Sequence, residues 1–336
     1  MASQSDDYES VVKARREESV AEFRDDHKSF VKQLQHALHV TPSLVPLIVL
    51  LISIAVFGAL LGSKFFSASS LTLVLQQVQL VGIVAAAQSL VIMTAGIDLS
   101  VGAIMVMSSV IMGQFTFRYG IPAEISILCG LVIGTALGAC NGWLVAKMKL
   151  PPFIVTLGTW QIILAANFLY SANETIRSQE IRTEAPILQF FGTTFKIGAD
   201  EAGQGGATFT VGVIFMLLLV AILAYVLRQT LIAVYALAGL ICAFAGWALI
   251  GRIGSVSPTS GQEANIQSIT AVVIGGISLF GGRGSIMGAL FGALIVGVFT
   301  LGLRLAGADA QWTYLFIGAL IIVAVAVDQW IRKVSA

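Results

Sequence analysis

The stretch "TAGIDLSVGA" (94–103) sets one carboxylate, Asp98, inside sequence that is apolar on both sides. A carboxylate at membrane depth is costly unless it is paired or hydrated. Gly96 and Gly102 flank it, and Ser100 follows two residues on. Two readings are open. In one, the glycines break a helix, and Asp98 and Ser100, or water in a cavity, satisfy the freed backbone groups, so that the stretch lines or gates a polar pathway. In the other, Asp98 sits in a turn near the inner membrane surface and caps the next helix through Ser100. Capping does not exclude lining a pathway.

Two further stretches have the same character. "GGISLFGGRGS" (275–285) is rich in glycine and carries one charge between two apolar runs. Gly276 and Gly281 have the separation of a phosphate-binding loop, but Gly282-Arg283 stands where Gly-Lys-Ser/Thr is required, so no nucleotide site is expected. Gly281, Gly282, Arg283 and Gly284 form a candidate element matching the Asp98 stretch. "NGWLVAKMKLPPFIVTLGTW" (141–160) joins a basic turn to a Pro151-Pro152 break, which reads as a helix start. Asn141, Thr156 and Thr159 either face a polar pathway or bond to the backbone.

The elements that must position these residues are membrane helices. Of 336 residues, 57% are hydrophobic and 11% charged, against about a quarter charged in soluble domains. The net charge of +1 gives no reason to expect a nucleic-acid partner. Runs of about 20 apolar residues suffice to cross a bilayer. They fall near 44–62, 72–93, 99–114, 124–146, 153–170, 208–227, 231–250, 268–281, 285–304 and 313–330, ten in all, the third and eighth being short. The expected fold is an all-α polytopic membrane protein of about ten transmembrane helices in two pseudo-repeated halves. Gly130, Gly134, Gly138 and Gly142 recur every four residues, as do Gly284, Gly288 and Gly292, a spacing that lets helix backbones approach in lipid. Its recurrence in both halves suggests the duplication.

Basic residues in short loops set orientation. Lys147 and Lys149, Arg228, Arg283, and Arg332 with Lys333 fall on one side, which places both termini in the cytoplasm and the long loop 171–206 outside. Residues 1–43 form a separate charged segment with six of the 19 Lys/Arg, eight of the 18 acidic residues and all three histidines. Val20, Phe23, Phe30, Leu34 and Leu38 give it an amphipathic helical pattern, read either as a solvated helix or as one lying on the membrane or a partner. With no histidine in a span, a histidine-based proton pump is disfavoured. No cleavable signal peptide is expected at the N-terminus. Cys129, Cys140 and Cys242 lack metal-ligand spacing and read as small core residues; no metal site is expected.

"TAGIDLSVGA", "NGWLVAKMKLPPFIVTLGTW", "ITAVVIGGISLFGGRGSIMGALFGALIVG" (269–297) and "QWTYLFIGALIIVAVAVDQW" (311–330) resemble the membrane permease of bacterial ATP-binding-cassette sugar importers, in the ribose-type branch and most like the fructose permeases. The resemblance runs from about residue 40 to the C-terminus. It implies a pathway for a monosaccharide such as fructose or ribose, in the cell inner membrane. It also implies a cytoplasmic ATPase that binds the ATP, a periplasmic sugar-binding protein and a second permease copy as a homodimer. The permease itself would be no enzyme and hold no cofactor.

One departure stands out. In the resembled family, "LRQT" continues into a cytoplasmic segment that seats in the ATPase, whereas here Thr230 runs straight into the next span at Leu231. A turn of so few residues can join two helices. The coupling segment is therefore expected to be missing at 228–231. Two functions follow as expectations: the transport pathway, or a decoupled membrane protein that assembles without transporting.

Overall fold

The computed structural model describes residues 41, 43–198, 206–225, 230–261, 263–279 and 281–333. The amphipathic pattern within 1–43, and Arg228 and Gln229, lie outside them. The described chain is an all-α membrane protein. Its main helices are α1 (Leu44–Leu61), α2 (Ala68–Met93), α3 (Val101–Tyr119), α4 (Ala123–Ala146) and α5 (Pro152–Ser171), followed by α7 (Val211–Tyr225), α8 (Leu231–Ile253), α9 (Ala264–Ile274), α10 (Ile286–Leu305) and α11 (Ala310–Lys333). Seven of the described helices are long and apolar enough to cross a membrane by length and composition, and three shorter apolar ones begin at Val211, Ala264 and Gln311.

Two expectations are corrected. The eighth run, 268–281, is not one span: α9 starts earlier and ends at Ile274, where Gly275 and Gly276 turn the chain and Gly276 takes a φ of 75°. The run looks continuous because the loop that follows is itself apolar. Cys140 is exposed rather than in the core, since it lies off the glycine face of α4; Cys242 is buried and Cys129 half-buried.

The long loop 171–206 is partly folded. Short helix α6 (Ser178–Glu184) and a 3-10 turn (Pro186–Gly192) lead into strand β1 (Thr194–Ile197), paired antiparallel with β2 (Ala207–Thr210). Residues 176 and 256 exchange backbone bonds of 2.9 and 3.1 Å, and Gln189 Nε2 donates to the Gly254 carbonyl at 2.8 Å. Phe191 packs on Trp247 and Phe215 with ring centroids 4.8 and 5.0 Å apart. These contacts hold the segment over the end of α8.

Helix α2 is the central strut, buried without interruption from Val78 to Ile92. Over that stretch it is apolar on all sides apart from Gln79, Gln88 and Ser89, because other helices pack around it. Its buried polar residue Gln79 is used: Thr210 Oγ1 donates to Gln79 Oε1 at 2.5 Å, and the Thr208 amide donates to Thr72 Oγ1 at 2.9 Å, docking β2 onto α2.

The glycine faces pack as their spacing implies. Gly130 lies on Met112 and Ser108 of α3. Gly134, Gly138 and Gly142 lie on α8, where a Cβ at Gly138 would strike the backbone of Tyr235 and Gly239. Gly288 and Gly292 lie against the backbone of Gly275 and Ala271 in the same way. Gly158 of α5 is the opposite case, with nothing within 4 Å of an added Cβ. Gly138→Ala is therefore expected to destabilise the protein by about 1–3 kcal/mol through forced separation of α4 and α8. Gly158→Ala is expected to be neutral or to stabilise by up to ~1 kcal/mol from helix propensity alone. Thermal denaturation in detergent reads both; equal shifts would mean the α4–α8 face is wrongly identified.

Candidate functional site

Helix α2 stops at Met93, and the amides of Thr94, Ala95 and Gly96 turn back onto the carbonyls of Val91 and Ile92 at 2.9–3.2 Å. Ala95 takes a φ of 62°, a left-handed conformation that a residue with a Cβ adopts at a cost. The chain then runs without helical bonding to Ser100, and α3 begins at Val101.

Asp98 is 1% exposed within this break. Its Oδ1 accepts from the Ser100 amide at 2.7 Å and from Ser100 Oγ at 2.6 Å. Ser100 Oγ in turn accepts from Asn141 Nδ2 at 2.8 Å. The relay Asn141–Ser100–Asp98 thus ties α4 to the break and sets a carboxylate at the N-terminus of α3, where the helix dipole favours negative charge. These bonds bear on the capping reading of Asp98 alone. It caps, but through its own carboxylate, and Ser100 makes no side-chain cap bond to α3.

The remaining amide need is met from the other half of the chain. Asn265, at the start of α9, accepts from the Gly102 amide at 2.5 Å and donates to the Leu99 carbonyl at 2.6 Å. A Cβ at Gly102 would lie 2.6 Å from Asn265 Oδ1, and one at Gly96 would lie 2.7 Å from the Tyr235 hydroxyl. Both glycines are therefore needed for close approach. Thr156 Oγ1 donates to the Ile97 carbonyl at 2.9 Å, which brings in α5. Thr159 does not join; it bonds to the Thr156 carbonyl in its own helix at 3.3 Å.

The second glycine element meets the first. The Gly282 amide donates to the Met93 carbonyl at 3.1 Å, and Gly281, at a φ of 79°, lies where a Cβ would strike Ala95. Gly284, at a φ of 137°, leaves room for Ile277. The Arg283 side chain is exposed, while its carbonyl accepts from the Ser278 amide at 3.0 Å. Ser285 then caps α10 through the Gly288 amide at 3.3 Å.

Asn265 and Tyr235 were not expected from sequence. A lone asparagine opening an apolar helix in "EANIQSIT" is the available signal, but no spacing rule links it to residue 102. Some hydrogen-bonding capacity at this node is unspent: Asn141 Oδ1 and the Tyr235 hydroxyl are buried without a partner among the described residues, as are both polar atoms of Gln88 on α2. An orphaned buried polar group costs about 1–3 kcal/mol.

The family described as "Branched-chain amino acid transport system / permease component" matches residues 70–232 and 228–325. The chain belongs to this permease family. Among its relatives, the fructose import permease of Rhizobium meliloti is 63% identical, the alignment covering 100% of this chain and 98% of that protein. The ribose import permease of Bacillus subtilis is 32% identical over 84% of this permease and 91% of its own length. The D-allose transport system permease of Escherichia coli is 29% identical over 85% and 91%. No solved structure matches the permease. The first alignment spans 361 positions against 336 residues here, so at least 25 of its positions have no residue of this permease opposite them. The two family matches overlap at 228–232, at the start of α8.

Proposed function

We propose that the chain is the transmembrane pathway subunit of an ATP-driven monosaccharide importer in a bacterial inner membrane, with fructose the first candidate substrate. The observation that carries this reading is the 63% identity to a fructose import permease across the whole chain. Ribose and D-allose permeases among the relatives support the wider sugar class. The proposed partners are a cytoplasmic ATPase that binds the ATP, a periplasmic sugar-binding protein and a second copy of the permease. Both termini face the cytoplasm on this reading, as the basic residues Lys147, Lys149 and Arg283 suggest. The permease is a conduit and holds no cofactor of its own.

In this reading the node of Gly96, Asp98, Ser100, Gly102, Asn141 and Thr156 is a gate. Four helices and both halves of the chain meet on a short non-helical segment, and Gly281–Gly284 brace its other side. A broken helix whose backbone is held by side chains can shift without unfolding a span. The unspent bonds of Asn141 and Tyr235 support a second arrangement in which they find partners. Thr159 is the weakest member and sits outside the gate.

Uptake of radiolabelled fructose, ribose and allose into vesicles holding the permease, its ATPase and the binding protein tests the reading. Fructose uptake above protein-free vesicles is expected. The measurement is run beside a variant carrying an inserted cytoplasmic segment between Thr230 and Leu231. Absence of sugar uptake by both chains would overturn the proposal. A second reading, a decoupled permease, takes what support it has from the unmatched alignment positions and from the family match falling into two pieces that overlap at 228–232.

A further inference from the structure

A cleft of about 680 Å³ opens between α2, the first turns of α9 and α11, and the last turns of α10. Small-molecule sites are typically about 300–1,000 Å³. The cleft lies at the Arg252 end of the bundle, since Arg252 Nη2 donates to Gln77 Oε1 in its wall at 2.9 Å. In a chain that is 11% charged, Glu263, Arg304 and Asp309 converge here with Gln267, Thr270 and Thr300. Charged side chains gathered at helix ends around a cleft of this size give it polar groups that can orient a ligand.

We infer that this cleft binds a neutral polyol, a monosaccharide on the reading above, at a site separate from the Asp98 node. The charges argue for neutrality. Two carboxylates and the Arg304 guanidinium line the cleft together, so neither an anion nor a cation meets a field of one sign. Among the described residues no group of three His, Cys, Asp or Glu is placed to hold a metal. The hydrogen-bond inventory argues for hydroxyls. Thr270 and Thr300 each donate to a carbonyl of their own helix, at Ile266 and Val296, both at 2.7 Å, and so present acceptor lone pairs to the cleft. The two carboxylates add acceptors, while the Arg304 guanidinium adds donors. Sugar hydroxyls need both kinds at once. Ile266, Ile317 and Tyr314 supply apolar surface for the C–H face of a ring. Helix α9 serves both sites, with Gln267 and Thr270 in the cleft and Asn265 on the node.

The choice of fructose as probe rests on the transport reading, but the test does not require transport. In the full chain in lipid vesicles, Thr300→Cys is labelled with a small membrane-impermeant maleimide, the wild-type chain giving the background from its own cysteines. Fructose at ten times its Kd is expected to slow labelling about tenfold by occupancy. A charged solute of similar size, gluconate or choline, at equal osmolarity should leave it unchanged. Asp309→Asn and Arg304→Gln should each raise the fructose concentration needed for protection by about tenfold, the scale of a lost charged hydrogen bond. Gly158→Ala should not move it. Should Thr300→Cys assemble poorly, Thr313→Cys reports on the same wall. Unprotected labelling with all three monosaccharides, or no labelling because a second copy covers the cleft, would overturn the inference. Protection without uptake would count against the transport reading and for the cleft; uptake without protection would do the reverse.

Discussion

Asp98→Ala is expected to cut sugar uptake by at least about tenfold at matched membrane levels, and Asp98→Asn by far less. Alanine removes the acceptor of both the Ser100 amide and the Ser100 hydroxyl, the two groups held at 2.7 and 2.6 Å. Leaving them orphaned in a buried site costs about 1–3 kcal/mol each, enough for a tenfold to hundredfold loss of the assembled Asp98 node. The loss spreads, because Asn141 reaches the break only through Ser100. Asparagine keeps an Oδ1 in place, so the relay and the start of α3 survive. Uptake and detergent stability, measured together on both variants, separate the roles. If Asp98→Asn is as inactive as Asp98→Ala while remaining as stable as wild type, the negative charge itself acts in transport. If both variants transport like wild type, Asp98 has no part in the mechanism.

Restoring a cytoplasmic segment at the α7–α8 join is expected to raise coupled uptake by at least about tenfold. An ATPase drives a permease only through contacts that differ between the conformational states of the membrane subunit, and a population shift of that size needs ~1.4 kcal/mol of differential binding. Five residues separate Tyr225 of α7 from Leu231 of α8 in sequence. The relative's alignment has at least 25 positions with no counterpart in this chain, and the family match falls into two pieces that overlap at 228–232. On the decoupled reading, the unmatched positions fall at this join. The chain should still insert and fold, because the Asp98 node and the glycine faces, apart from Gly142 on Ile232, are built away from the join. It should bind the ATPase weakly and give little sugar-stimulated hydrolysis. Inserting the corresponding stretch of the Rhizobium meliloti permease between Thr230 and Leu231 should raise both. ATPase binding, hydrolysis and uptake are compared for the two chains in the same vesicles. Equal coupled activity would show that another inner loop, such as that of Lys147 and Lys149, supplies the grip.

The sequence by itself determined the all-α membrane fold, since apolar runs of bilayer length admit little else when every backbone group must be satisfied internally. It also located the break at Asp98, because a lone carboxylate between glycines has few other uses in lipid. The faces of α4 and α10 were legible for the same reason: a four-residue glycine spacing is a local property of one helix. The end of α9 was not, because the apolar loop 275–281 reads as a continuation of the helix, and the chain turns there only where Gly275 meets the backbone of α10 and Gly276 takes a positive φ. Nor was Asn265, whose grip on Gly102 joins residues 163 apart in sequence. Tyr235, Gln77 and the walls of the Arg304 cleft were hidden likewise. Which glycine admits a hydroxyl, and which helix ends converge on a cleft, depends on how the two halves pack together, and tertiary structure alone decides that.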